Sequence, residues 1–131
     1  MPKKSPTLKV LVVDDEPLLL WSVAETLTNY GYEVVETGDG HSARKALDDA
    51  SHEFDVVLLD FRLPDSNDLS LLASIRRMSP RTQVIVMTAF GTPEVVRGAL
   101  DLGAFRVVSK PFEMDAVADL VAQAYAARIT H

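Results

Sequence analysis

The sequence has no cysteine, and no apolar run in it approaches the roughly 20 residues that cross a bilayer. The lack of cysteine excludes a disulfide, a thiolate nucleophile and sulfur-bound zinc, and it is compatible with a reducing compartment. The apolar run after the mildly basic start is too short for a signal peptide and is interrupted by Asp14-Asp15-Glu16. We therefore predict a cytoplasmic protein that does not contact a membrane.

Basic residues are scarce relative to acidic ones, 13 against 19, which gives a formal net charge of -6 at pH 7. This charge argues against nucleic acid as a direct partner of the domain. A length of 131 residues, with 47% hydrophobic and 24% charged residues, fits one globular domain with one core. Residues 1–7 contain two prolines and two lysines and are predicted to be a flexible terminus, followed by the domain at residues 8–128.

Apolar segments of two kinds alternate along the chain. Short runs of valine, isoleucine and leucine predict five strands, and apolar residues at helical spacing after each run predict five helices. The strands are predicted at residues 8–13, 32–36, 54–60, 83–87 and 105–109. This alternation indicates a doubly wound α/β domain, in which helices cover both faces of a parallel sheet to give three layers.

Polar side chains stand at the ends of four of these strands. Asp14 and Asp15 follow the first strand, Asp60 ends the third, Thr88 follows the fourth and Lys110 follows the fifth. Each residue alone has an ordinary interpretation as a cap, turn or surface residue. Because the carboxyl ends of parallel strands lie at one edge of a sheet, where open α/β sheets bind ligands, the four junctions together favour a functional site.

The residue types at these junctions indicate phosphoryl transfer. Clustered carboxylates repel one another, so without a cation at least one pKa should be raised. Mg²⁺ fits such a cluster better than Ca²⁺, because it keeps several waters and needs few protein carboxylates. Lys110 can hold an anion close to the metal, and Thr88 can hydrogen-bond the same anion. One carboxylate would then act as the nucleophile.

Other residues with chemical potential are interpreted more simply. His41, His52 and His131 have no metal-ligand spacing and are predicted to lie on the surface. Trp21, at helical spacing in the first helix, is predicted to pack rather than to take part in recognition. Gly98 falls inside the fourth helix, where it costs roughly 1 kcal/mol relative to alanine, so we expect this helix to be the least stable.

From about Leu8 to Arg128, the chain resembles the receiver domain of bacterial two-component response regulators. The resemblance rests on four motifs, which are weak singly and highly specific together: Asp14-Asp15, Asp60 followed by Leu63-Pro64, Thr88-Ala89, and Lys110-Pro111-Phe112. Two further stretches look most like the receivers of enhancer-binding activators, in which an AAA+ ATPase and a DNA-binding domain follow: Thr88-Ala89-Phe90-Gly91 and Gly103-Ala104-Phe105.

The resemblance implies a flavodoxin-like strand order, 2-1-3-4-5, and a role for each acidic residue. Asp60 would accept a phosphoryl group from a phosphohistidine of a sensor histidine kinase. Asp15 and Asp60 would ligate Mg²⁺ directly, Asp14 would act through water, and the backbone carbonyl of Arg62 would be a further ligand. The domain would be a phosphoacceptor rather than an enzyme, with at most self-phosphorylation and self-dephosphorylation activity.

The resemblance also implies that Thr88 and Lys110 contact the phosphoryl oxygens and that the peptide bond before Pro111 is cis. Phosphorylation adds a charge of about -1.5 to -2 next to these two side chains. A shift of Thr88 would bias the fourth helix and the fifth strand. We hypothesise that the face from the fourth to the fifth helix, including Val95 and Leu100, then changes partners within a homodimer.

The chain departs from the family pattern at several positions. Val107 stands where a tyrosine or phenylalanine is usual, so the aromatic switch residue is missing or relocated. Asp68 stands where glycine is common, and aspartate tolerates positive φ better than most residues but less well than glycine. Arg62 and Phe90 flank the expected pocket, and their bulk predicts slow self-dephosphorylation.

Three other functions remain open on the sequence. Val107 favours a phosphorylation-independent, receiver-like interaction module, although the intact acidic pocket does not. A magnesium-dependent phosphohydrolase would share the chemistry, but no second acid follows Asp60 to act as a general acid. A flavin-binding flavodoxin-like protein is disfavoured, because three acids would repel a phosphate without a metal.

Overall fold

Five parallel strands form the central layer of the structure, a computed structural model that describes residues 8–49 and 53–129. The strands are β1 (Lys9–Val13), β2 (Glu33–Thr37), β3 (Val56–Asp60), β4 (Gln83–Thr88) and β5 (Arg106–Ser109). They pair in the order β2-β1-β3-β4-β5, and every pairing is parallel. The doubly wound sheet and the strand order implied by the resemblance are both confirmed. The predicted flexible terminus, residues 1–7, lies outside the described residues.

Helices cover both faces of this sheet. Within the described residues they are α1 (Pro17–Asn29), α2 (Gly40–Asp48), α3 (Ser70–Met78), α4 (Pro93–Asp101) and α5 (Met114–Ile129). Side chains from α1 and α5 share one apolar cluster with the sheet, and side chains from α2, α3 and α4 share the other. None of these helices is long and apolar enough to cross a bilayer.

The central strand β3 is buried on both faces. All five of its residues are buried. Val57 and Leu59 join the cluster on the α2–α4 face, whereas Val56 and Leu58 join the cluster on the α1–α5 face. Each such aliphatic side chain stabilises the fold by roughly 1.5–3 kcal/mol when it is fully buried. A one-residue slip would exchange the two faces, so this packing fixes the register and with it the position of Asp60 at the rim.

Several strands begin later than the sequence predicts. β3 begins at Val56 rather than residue 54, and β5 begins at Arg106 rather than residue 105. An apolar run in the sequence indicates buried residues, and these extend beyond the part of a strand that pairs with its neighbours. Phe54, for example, is 1% exposed although it precedes β3. Similarly, Phe105 lies ahead of β5 and packs on the α1–α5 face.

The prediction that Trp21 packs inside is wrong, because its side chain is 58% exposed. Helix α1 instead buries Val23, Ala24 and Leu27 against the sheet. At 100° per residue these three form one stripe, and Trp21 lies to the side of it. His41 is exposed, as predicted, while residues 52 and 131 fall outside the described part of the chain.

Helix α4 is held by few buried side chains. Ala99 is its single buried residue, whereas α3, which is equally long, buries four. The N-terminus of α4 is capped, since the Thr92 hydroxyl accepts a hydrogen bond from the Val95 N–H at 3.3 Å. A methyl group at Gly98 would come within 2.8 Å of Leu69 Cδ1, so the glycine permits close approach of that side chain. This sparse burial agrees with the expectation that α4 is the least stable helix.

Candidate functional site

The side chains predicted at the strand ends meet at one rim of the sheet. Strands β1 and β3 pair in register up to Val13 and Leu59, so Asp14 and Asp60, the residues that follow them, lie side by side at the rim. Strand β4 lies on the other side of β3, and its last residue is Thr88. The rim therefore carries the complete predicted set: Asp14, Asp15, Asp60, Thr88 and Lys110.

Three carboxylates form the acidic part of this rim. Asp14, Asp15 and Asp60 each offer an oxygen atom, and these oxygens all lie within 4.8 Å of one another. Asp14 is 1% exposed and Asp60 6% exposed, whereas Asp15 is open to solvent. The cluster thus has a buried floor and an open side, which suits a hard cation that keeps part of its water shell.

Lys110 offsets part of the negative charge of this cluster. Its Nζ donates hydrogen bonds to Asp14 Oδ2 at 2.8 Å and Glu16 Oε1 at 3.0 Å, and it lies 3.4 Å from Asp60 Oδ2. Each ammonium proton therefore has a carboxylate nearby. Glu16 was not assigned to the site from the sequence; the only signal was its place in the acidic run after β1. The peptide bond between Lys110 and Pro111 is cis, as the resemblance implies.

Backbone N–H groups orient the two buried carboxylates. Asp60 Oδ1 accepts a hydrogen bond from the Arg62 N–H at 3.3 Å, and Asp14 Oδ1 accepts one from the Glu16 N–H at 2.9 Å. The second oxygen of each carboxylate faces Lys110. Both acids are therefore held between their own loop and the lysine of a distant loop.

Arg62 lines the pocket, and Phe90 lies next to it and packs against the Arg62 side chain. The Arg62 guanidinium lies over the Phe90 ring, 4.9 Å from its centroid, a distance at which cation–π attraction operates. The Phe90 N–H donates to Thr88 Oγ1 at 3.0 Å, which ties the loop after β4 to the rim. The pocket itself is a cavity of about 200 Å³ lined by Asp15, Glu16, Asp60, Arg62, Ala89 and Lys110.

The structure shows the surroundings of two residues that depart from the family pattern. Val107 is partly buried and packs against the α2–α4 cluster. Asp68 does not adopt the positive φ that would favour glycine, since among the described residues only Gly31 and Gly103 have positive φ. Asp68 instead accepts hydrogen bonds from the Ser70 N–H at 2.9 Å and the Ser70 hydroxyl at 2.6 Å, at the start of α3.

The surroundings of Asp60 raise the pKa of its carboxyl group from 3.8 to about 6. Burial is the largest cause and the charge of Asp14 adds to it, whereas Lys110 and the Arg62 N–H act in the opposite direction. The prediction that at least one carboxyl pKa is raised without a cation is therefore confirmed. Burial disfavours the Lys110 ammonium, but hydrogen bonds to Asp14 and Glu16 and the charge of Asp60 outweigh it, so the pKa of Lys110 is raised.

The raised pKa of Asp60 predicts a pH-dependent stability in metal-free protein. Because ionisation is harder in the folded state, the free energy of unfolding falls as the pH rises from 3.8 to about 6 and stays at the lower value above that range. Asp60→Asn should therefore raise that free energy by on the order of 2 kcal/mol at pH 7.5, and the gain should shrink as the pH falls to about 4. Urea denaturation at both pH values measures it. Glu113→Gln, an exposed acid, is the control; a gain of equal size at both pH values would contradict the prediction.

Comparisons with known proteins agree with this geometry. Residues 10–122 match the family described as response regulator receiver domain. The response regulator protein PilR of Pseudomonas aeruginosa is 35% identical over 116 residues, which cover 88% of this chain and 26% of PilR. The transcriptional regulatory protein KdpE of Mycobacterium tuberculosis is 38% identical over 106 residues, which cover 81% of this chain and 46% of KdpE. The chain thus spans about a quarter of one relative and just under half of the other.

The fold is similar to that of a solved receiver. A CheY-like response regulator receiver domain protein from Methanospirillum hungatei superposes with a TM-score of 0.89, covering 95% of this chain and 98% of that one. At 22% identity, this likeness supports the fold alone. The family match covers most of the chain and includes every residue of the rim. The chain therefore belongs to the response regulator receiver family and is a receiver domain.

Proposed function

We propose that this receiver takes a phosphoryl group from a phosphohistidine of a sensor histidine kinase onto Asp60, in the presence of Mg²⁺. The single observation that carries the proposal is the position of Lys110, which lies 3.4 Å from the Asp60 carboxylate and hydrogen-bonds Asp14 at 2.8 Å. The Lys110 ammonium can stabilise the negative charge first on the Asp60 carboxylate and then on the oxygens of an arriving phosphoryl group. The domain would be a phosphoacceptor rather than an enzyme that acts on external substrates.

The donor set at the rim fits Mg²⁺. We assign direct ligation to Asp15 and Asp60, ligation through water to Asp14, and one further ligand to the Arg62 carbonyl. Ligands of one Mg²⁺ ion stand about 2.1 Å from it and hence at most about 4.2 Å apart. The carboxylate oxygens lie within 4.8 Å of one another, so small side-chain shifts suffice. When bound, the ion would screen the charge of the transferred group.

The residues of the chain support an in-line transfer to Asp60. A bound cation would offset the charge of Asp14 and favour the ionised form of Asp60, which is the form of the carboxyl group that acts as a nucleophile. An oxygen–phosphorus bond forms as the phosphorus–nitrogen bond to the donor imidazole breaks. Lys110 would then exchange a carboxylate partner for a phosphoryl oxygen, and the Thr88 hydroxyl would donate to another.

The hydroxyl of Thr88 also offers a route for the signal. It accepts the Phe90 N–H, so turning it towards a phosphoryl group would release the loop that leads into α4. Leu100 on that helix is 46% exposed, and Val95 and Val96 are partly exposed. We assign a homodimer contact to the face from α4 to α5. Because KdpE is by name a transcriptional regulatory protein, we infer a role in transcription regulation for this chain. We assign this role to the cytoplasm, and the formal net charge of -6 argues against direct nucleic acid contact by this domain.

The phosphoacceptor assignment predicts a mass change. Wild-type protein incubated with a small-molecule phosphodonor and Mg²⁺ should gain one phosphoryl group by intact-mass spectrometry, and Asp60→Asn should gain none, because the amide is not a nucleophile. Asp68→Asn, an exposed acid of the same loop, is the matched control and should be labelled like the wild type. Equal labelling of Asp60→Asn would exclude this acceptor. Absence of both labelling and millimolar Mg²⁺ binding in the wild type would favour a phosphorylation-independent module, the function that Val107 suggests.

The stack of Arg62 on Phe90 predicts a long-lived phosphorylated state, because it limits the approach of water to the pocket. The Arg62→Ala, Phe90→Ala double variant should lose its phosphoryl group several times faster than the wild type, measured as the decay of the phosphorylated mass after donor removal. Arg106→Ala provides the control, because Arg106 lies 4.7 Å from the Phe105 centroid in a similar stack outside the pocket. Equal lifetimes in the double variant and the wild type would reject this role.

The signalling route predicts a local change on activation. Binding of a beryllofluoride phosphoryl mimic should alter amide hydrogen exchange in α4 and increase the sedimentation coefficient, while exchange in α3 changes little. Helix α3 is the internal control, since it has the same length and buries more side chains. If neither α4 exchange nor sedimentation responds to the mimic, this switch mechanism is wrong.

A further inference from the structure

The loop after β3, residues 61–69, is joined to helix α2 by Asp65. Asp65 Oδ1 accepts a hydrogen bond from the Gly40 N–H at 2.7 Å, and Oδ2 accepts one from the His41 N–H at 2.9 Å. The helix already has its own N-cap, since Asp39 Oδ1 accepts the Ser42 N–H at 2.7 Å. Two carboxylates from different segments thus satisfy the free N–H groups of the same helix terminus.

A glycine at position 40 makes this contact feasible. A methyl group on Gly40 would lie 3.1 Å from Asp65 Oδ1 and 3.3 Å from Leu71 Cδ2, closer than most real contacts of that kind. Any side chain there would press against the Asp65 carboxylate. The absence of a side chain at position 40 and the presence of the Asp65 carboxylate therefore depend on each other.

Asp65 stands at the tip of a closed turn. The Leu63 N–H donates to the Ser66 carbonyl at 2.7 Å, and the Ser66 N–H donates back to the Leu63 carbonyl at 3.2 Å. Pro64 restricts φ at the first central position of the turn, and Leu63 is buried. With both ends bonded to each other, the turn moves as one unit, so holding Asp65 holds all of it.

This turn also determines the direction of the Arg62 carbonyl. That carbonyl shares a planar peptide unit with the Leu63 N–H, and in a trans peptide the two groups point in opposite directions. This peptide is trans, since the one cis bond in the described chain precedes Pro111. Because the Leu63 N–H points into the turn, the Arg62 carbonyl points away from it. The Arg62 N–H meanwhile donates to Asp60 Oδ1.

We propose that Asp65 is a positioning residue of the phosphoacceptor site. By joining the β3–α3 loop to α2, it holds the Arg62 backbone where its carbonyl can bind the metal and its N–H can orient Asp60. This role rests on the proposed function, because it assumes Mg²⁺ ligation by the Arg62 carbonyl. The backbone hydrogen bonds, that of Gly40 first, lower the pKa of Asp65, so its carboxylate stays charged at neutral pH.

The test compares two caps of the same helix. Asp65→Ala releases both α2 and the loop, whereas Asp39→Ala weakens α2 and leaves the loop attached. We expect Asp65→Ala to raise the Kd for Mg²⁺ roughly tenfold, as is common when a residue that supports a metal ligand is removed, and Asp39→Ala to change it less than about twofold. Isothermal titration of Mg²⁺ into each protein measures the Kd, and circular dichroism melting confirms that each is folded.

A second variant reaches the same contact from the other side. Gly40→Ala keeps the Asp65 charge but pushes its carboxylate away, so it should also raise the Kd for Mg²⁺, and it serves if Asp65→Ala does not fold. An unchanged Kd in both variants overturns the positioning role, as does an equal rise in Asp39→Ala. If the wild type takes up a phosphoryl group and binds Mg²⁺ while these variants bind it equally well, only the role of Asp65 fails. A wild type that binds no Mg²⁺ overturns the proposed function as well.

Discussion

The charge balance around Lys110 is the interaction on which the rest of the site depends. Two buried carboxylates, Asp14 and Asp60, lie next to each other, and burying such charges is costly unless a counter-charge is close. Lys110 supplies that charge at 2.8 and 3.4 Å, but Asp15 and Glu16 add further negative charge. One ammonium therefore leaves the rim short of positive charge, and the charge of Asp14 adds to burial, the larger cause, in raising the pKa of Asp60. This charge balance suits a divalent cation.

The fold combines a buried, closely packed strand beneath this charge cluster with loops that surround it. Strand β3 is buried over its whole length and fixes the position of Asp60, since packed interiors tolerate little displacement. The loops around the rim are held by a few hydrogen bonds instead. Asp65 joins the loop after β3 to α2, and the hydroxyl of Thr88 accepts a hydrogen bond from the Phe90 N–H in the loop that leads to α4. A charge added at the rim would therefore displace the loops and α4 more easily than the sheet.

Much of this architecture could be predicted from residue patterns. Alternating apolar periodicities indicate the strands and helices, and the topology of a parallel sheet then places every strand end at one edge. The cluster of Asp14, Asp60 and Lys110 follows from those two steps without any knowledge of side-chain contacts. Element boundaries were less accurate, because apolar runs mark burial and buried residues such as Phe54 extend beyond the paired part of a strand.

The sequence by itself determined the order of elements and the residue types at the strand ends, because both follow from local periodicity and from the direction of parallel strands. Only the tertiary structure decided which loops meet. Glu16 reaches Lys110 across 94 positions, Asp65 reaches α2 across 25, and Trp21 turns outward although its spacing is helical. These outcomes depend on how separate loops and helix faces pack against one another, and no local pattern in the sequence encodes that packing.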